Sequence, residues 1–131
     1  MARLTGEMKA VLEKQLAIVA TASGNGTPNA GPKGSLFVVD DGTLAYSEAT
    51  GEKTLSNIQE NPKVAVVVTD REKLDGYQIK GTAEVLTSGA FFEEVARRQE
   101  EKKRRRPKHV VRIRVEEVYS VKPGMTAPKI A

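Results

Sequence analysis

The stretch Ala45–Val68, AYSEATGEKTLSNIQENPKVAVVV, reads as strand, polar turn, short helix and strand in unbroken succession, and the rest of the chain is arranged around it. Ala45, Tyr46 and Ser47 end a β-run. Thr50 offers an N-cap, Gly51, Glu52, Lys53 and Thr54 supply a first helical turn, and Pro62 closes the helix. The spacing places Lys53, Thr54 and Asn57 on one face and turns Leu55 and Ile58 into a core. A helix start presents unpaired N–H groups and a positive dipole end, so a lysine ammonium and a threonine hydroxyl beside it suit a phosphate. An ordinary capped surface helix has the same spacing, and spacing alone ranks it first.

Composition removes several function classes. The chain has 131 residues, room for one core, and the domain reading is a single unit over 1–131, with an N-terminal helix in 1–15 and a tail in 122–131. Only 5% of residues are aromatic and none is tryptophan, so aliphatic side chains must fill that core. No cysteine is present, which excludes disulfides, thiolate metal sites and cysteine nucleophiles. A single histidine, His109, cannot build a histidine metal site alone; it reads as a surface or strand-edge residue, and no metal is expected. No run has signal-peptide character or the roughly 18 apolar residues of a membrane span. The sequence therefore reads as cytoplasmic. The net charge of +4 is concentrated: eight basic and two acidic residues between Arg97 and Lys108 leave the remainder of the chain at −2. One basic band on a mildly acidic domain speaks against a whole-surface nucleic-acid footprint.

Upstream of the opening stretch, Leu4, Met8, Val11 and Leu12 recur at helical spacing behind a Thr5 cap, and Leu16–Ala22 reads as a buried strand. The run Asn29–Val39 is extended, but its first half is rich in Gly and Pro, which demands an edge or a bulge at Pro32. Asp41-Gly42 marks a tight hairpin between Val38-Val39 and Thr43-Leu44. Downstream, Tyr77–Leu86 alternates as a strand antiparallel to Val64–Thr69. Thr87 or Ser88 caps a helix whose buried stripe is Phe91, Phe92, Val95 and Ala96, continuing into the basic band until Pro107. A last strand, Val110–Val115, extends through Val118–Val121 past a bulge at Glu116-Glu117. About six strands with hairpin-scale connections and two or three helices predict a mainly β protein: an antiparallel barrel with helices outside it.

The succession LAIVATASGNGTPNAGP, LFVVDDGTLAYS, TGEKTLSNIQENPKVAVVV, GYQIKGTAEVL and VEEVYSVKPG resembles the FMN-binding split-barrel family, which includes pyridoxamine phosphate oxidases and small flavoproteins. The resemblance covers nearly the whole chain and implies a six-stranded antiparallel split β-barrel. By the same resemblance, Pro32, Lys33, Gly34 and Ser35 lie along the flavin and its phosphate. Ser47, Glu48, Ala49 and Thr50 meet the ring system. Lys53 and Thr54 hold the phosphate, with Asn57 completing the family's spacing. The arginine-containing C-terminal motif of true pyridoxamine phosphate oxidases is absent, so that activity is not expected. Glu48 would set a carboxylate near the ligand and disfavour an anionic reduced flavin. Relatives with this barrel bind the deazaflavin F420 instead.

The resemblance also implies a homodimer with the flavin near the interface, and an open edge beside Pro32 and Gly34 gives a physical reason for pairing. The expected function is an FMN-dependent oxidoreductase or electron carrier, served by a reduced nicotinamide or a redox partner protein. The alternatives are an F420- or haem-binding barrel, or a module that binds flavin without turnover. Spacing places no general base or nucleophile.

Overall fold

The computed structural model describes residues 2–48, 53–122 and 129–131. A helix, Gly6–Lys14 (α1), leads into strands Ile18–Ala22 (β1), Pro28–Pro32 (β2), Phe37–Asp40 (β3) and Thr43–Glu48 (β4). The helix Lys53–Glu60 (α2) and strands Lys63–Asp70 (β5) and Asp75–Leu86 (β6) follow. The helix Ala90–Glu101 (α3) and strand His109–Ser120 (β7) complete the order. The strands form one antiparallel sheet in the order β2-β1-β5-β6-β7-β4-β3.

Connectivity forces this sheet to curl. β2 and β3 are its two edges, yet only residues 33–36 join them. Six inter-strand spacings in a flat sheet would separate the edges by about 29 Å. The link from Pro32 to Phe37 reaches at most about 18 Å when fully extended. The edges must therefore approach each other, leaving an open seam rather than a hydrogen-bonded closure, which is the split-barrel arrangement.

Seven strands form where about six were expected, because the Asn29–Val39 run divides between the two edges. Its first half is β2, where Pro28 and Pro32 cost no ladder bond to a central neighbour. Its second half is β3, which forms the expected hairpin with β4 through Asp41-Gly42.

Alternation along β4 serves two cores. Leu44 and Tyr46 point into the barrel with Val19, Val66, Ile79, Val111 and Ile113. Ala45 points outward, where Phe92, Val95 and Ala96 of α3 cover it with Phe37 and Val110. α1 contributes Met8 and Leu12 to the barrel core, and Leu4, just ahead of the helix, joins them. The helix starts on the expected Thr5 cap, whose Oγ1 accepts from the Met8 N–H.

Three local expectations need correction. Leu16 precedes β1 and is 59% exposed, and β1 itself alternates instead of being buried throughout. α3 is capped neither by Thr87 nor by Ser88: Gly89 takes the N-cap position at φ 101°, without a side-chain bond. The helix also ends at Glu101, ahead of Pro107, and Lys103 turns the chain at φ 58°. The bulge near Glu116-Glu117 is present: Lys80 faces Glu117 while Gly81 faces Val115, leaving Glu116 as the extra residue. Beyond β7, Lys129 bridges Tyr119, and Ile130 and Ala131 hydrogen-bond to Val118.

Candidate functional site

The seam between the two sheet edges gathers most of the polar residues singled out in the sequence. On one side, β2 runs past the start of α2, and the Asn29 side chain donates to Thr54 Oγ1 at 3.1 Å. Asn57 is buried and donates to Thr21 Oγ1 at 3.1 Å. Lys53, Thr54 and Asn57 therefore do not form a common exposed face. α2 has to bury Leu55 and Ile58 against the barrel, and this rotation takes Thr54 and Asn57 inward, where hydrogen bonds satisfy them. Lys53 stays exposed at the helix start. It opens onto a polar groove of about 760 Å³ between the β1–β2 turn and α2, lined also by Asn25, Asn29, Ser56 and Asn57. Glu60 lines the far end and accepts from the Gly24 N–H at 3.2 Å.

On the other side, the β2–β3 link is stitched to the end of β4. The Ser35 hydroxyl donates to the Ser47 carbonyl at 3.1 Å and accepts from the Ser47 N–H at 3.0 Å. Lys33 Nζ bonds Glu48 Oε1 at 2.7 Å, with the two side chains only 15% and 8% exposed. The Glu48 carboxylate is thus neutralised by a lysine, a partner that spacing alone did not indicate. The same ammonium lies 5.5 Å from the centroid of the Tyr46 ring. Gly34 is open: a Cβ placed there meets nothing within 4 Å. Ala49 and Thr50, with the capping role expected of Thr50, fall outside the described residues.

Sequence reading missed two further groups at this end of the barrel. Tyr46 faces Val111 and Glu48 faces His109 across the β4–β7 ladder, so all four share the inner face. The Tyr46 hydroxyl is fully buried and His109 Nδ1 is buried, and neither has a hydrogen-bond partner among the described residues. Burial first, and then the Glu48 charge, push the Tyr46 hydroxyl far above the ordinary phenol range. His109 is therefore not the plain strand-edge histidine expected. Only pairing register brings it opposite Glu48.

The basic band lies apart from the groove. Arg106 pairs with Glu93 at 2.9 Å and with Glu100 at 3.4 Å, and the Arg98 guanidinium stacks 4.1 Å from the Phe37 ring centroid. No band residue lines the groove among the described residues. Among those same residues, no cluster of three metal-ligating side chains occurs, and no helix is long and apolar enough to cross a membrane.

Comparison with known proteins agrees with this architecture. Protein MJ0282 of Methanocaldococcus jannaschii is 36% identical over 133 residues, spanning 98% of this chain and 87% of that protein. The crystal structure of HupZ from Group A Streptococcus superposes with a TM-score of 0.88 at 40% identity, covering 95% of this chain and 99% of that one. A pyridoxamine 5'-phosphate oxidase-like protein of Lactobacillus delbrueckii superposes with a TM-score of 0.79 at 32% identity, covering 88% of this chain and 93% of the other. The profile of the pyridoxamine 5'-phosphate oxidase family matches residues 4–122, nearly the whole barrel with its seam, and the chain belongs to that family.

Proposed function

We propose that the protein is a prosthetic-group-binding split-barrel protein that holds FMN or haem at the seam, and that binding, rather than turnover of a small substrate, is its primary property. The observation that carries the reading is the polar groove of about 760 Å³ opening on the exposed Lys53 at the start of α2, alongside the edge strand β2. A helix start with a lysine attracts a phosphate or carboxylate. Thr54 and Asn57, held by Asn29 and Thr21, shape this site rather than clasp the ligand. The open space over Gly34 admits a flat ring to the backbone. In the ligand-free protein Lys33 neutralises the Glu48 carboxylate, so its charge is not left bare beside the ring site.

Haem as the occupant is favoured by one specific observation. The chain's single imidazole, His109, lies on the inner face at the seam with its Nδ1 buried and unpartnered among the described residues, and histidine is a common axial ligand of haem iron. A bound flavin or haem would supply the electron-transfer chemistry, while the chain binds and orients it. The whole of 1–131 acts as one binding unit in this reading. A homodimer follows from the same physics, since β2 and β3 are both open edges.

Titration of the purified protein with FMN and, separately, with haemin tests the proposal by visible absorption. For FMN, saturable binding is expected, weakened about tenfold or more by Lys53→Ala, since a charge-assisted bond contributes about 1.5–3 kcal/mol. Neutralising Arg104 and Arg105 should leave it unchanged. For haemin, a shifted Soret band is expected that His109→Ala removes. Uptake of neither chromophore would refute the reading. Anaerobic NADH or NADPH that bleaches a bound flavin, with turnover on an added acceptor, would move the protein from binding module to flavin-dependent reductase.

A further inference from the structure

We propose that the Lys33–Glu48 ion pair is a charge gate on the seam: an anionic group of the incoming prosthetic group takes Lys33 from Glu48, so Glu48 sets affinity by competing for one ammonium. The inference rests on the prosthetic-group reading above and names the residues that regulate that site.

The placement of the pair makes competition unavoidable for a ligand lying along β2. Asn29 lines the groove beside Lys53, and Lys33 is four residues further along the same edge, about 13 Å at the rise of a strand. Glu48 ends β4 and Lys53 begins α2. In the closed pair the charges cancel, and Lys53 is the cation that faces the groove. An anion that reaches the pair gains a second cation only by displacing a carboxylate that is 8% exposed.

Displacement needs a destination for Glu48, and the inner face provides two. His109 stands directly opposite it in the β4–β7 ladder, and Tyr46 is two residues back on the same strand and face. The buried Tyr46 hydroxyl and His109 Nδ1 both lack a hydrogen-bond partner among the described residues. Buried polar atoms are normally satisfied, so two unpartnered ones beside the same carboxylate call for an explanation. A phenol donates one hydrogen bond, and a neutral imidazole can carry its proton on either nitrogen. Both groups are thus able to receive the displaced Glu48 carboxylate once Lys33 has left it. The charged partner of Glu48 among the described residues is Lys33 from the β2–β3 link, and the other titratable side chains facing it are His109 from β7 and Tyr46 on its own strand.

The test is a double-mutant cycle read by titration with FMN and with haemin. Glu48→Gln should bind the accepted chromophore about tenfold more tightly than wild type, and Lys33→Met about tenfold more weakly. In the Lys33→Met background, Glu48→Gln should gain less than in the wild-type background, because only direct repulsion between carboxylate and anion remains and no ammonium is left to compete for. Wild-type binding with Glu48→Gln equal to it or weaker overturns the gate and leaves the binding reading standing. Failure of the wild type to bind either chromophore overturns both. Should the variants not fold, a crystal structure of the ligand-saturated wild type decides: Lys33 Nζ moved from Glu48 onto the ligand supports the gate. An ion pair still closed at its present 2.7 Å overturns it.

Discussion

Gly81→Ala should destabilise the protein by about 3 kcal/mol, a magnitude that follows from the β6–β7 bulge. Gly81 faces Val115 at the point where the register slips around Glu116, and the two backbones are closest there. A methyl group on Gly81 would lie 2.2 Å from the Arg114 carbonyl oxygen and 3.0 Å from Ile113 Cγ2. Carbon and oxygen settle at about 3.3 Å or more, so the ladder has to part by about 1 Å. The obstacle is backbone in a strand paired on both sides, and it cannot rotate away. Overpacking of this kind costs about 1–3 kcal/mol, and a stretched ladder hydrogen bond adds about 1 kcal/mol. For a chain of this size, about 3 kcal/mol lowers Tm by about 10–15 °C. Thermal melts followed by circular dichroism measure it, with Gly34→Ala as the control, since a Cβ at Gly34 meets nothing within 4 Å. A Gly81→Ala melt within about 2 °C of wild type would refute the steric reasoning.

Three further outcomes are expected. Gly34→Val should leave the melting temperature unchanged while reducing uptake of FMN or haemin, because its branched side chain fills the open space over the seam; unchanged uptake would remove Gly34 from the site. Thr21→Val removes the acceptor of the buried Asn57 amide and should cost about 1–3 kcal/mol, read by denaturant unfolding; wild-type stability would mean that Asn57 is satisfied in another way. The Tyr46 hydroxyl keeps its proton in the folded state well above the ordinary phenol value of about 10. Its contribution to stability is therefore complete below about pH 10 and is lost as pH climbs toward the raised value. Spectrophotometric titration should show Tyr46 ionising last of the three tyrosines, together with unfolding; ionisation of all three in the folded protein would contradict the burial assigned to it.

Features encoded by neighbours in the chain were legible from the residues themselves. The Thr5 cap, the Asp41-Gly42 hairpin, the alternation of Tyr77–Leu86 and the bulge near Glu116 each depend on a few adjacent positions, and all four are found. Errors arose where a local signal had more than one outcome. Leu16 is as apolar as the strand it precedes, yet it stays outside the sheet. Thr87 and Ser88 are good caps by type, but the chain enters α3 through the positive φ of Gly89. Helical spacing grouped Thr54 and Asn57 with Lys53, whereas the depth at which Leu55 and Ile58 pack decides how far the polar residues turn inward.

By itself the sequence determined the order of helices and all but one division of the strands, the Gly- and Pro-rich edge at β2, the lysine at the start of α2, and a resemblance in element order that the family match bears out. Local pattern is enough for these, because capping, alternation and turn chemistry act over a few residues. Only the tertiary structure decided that one extended run serves both edges of the sheet, that Lys33 neutralises Glu48, and that Tyr46 and His109 complete the inner end of the seam. The physical reason is closure. A link of residues 33–36 curls the seven-stranded sheet until its two edges face each other across the open seam, and the side chains gathered there are set by strand order and register.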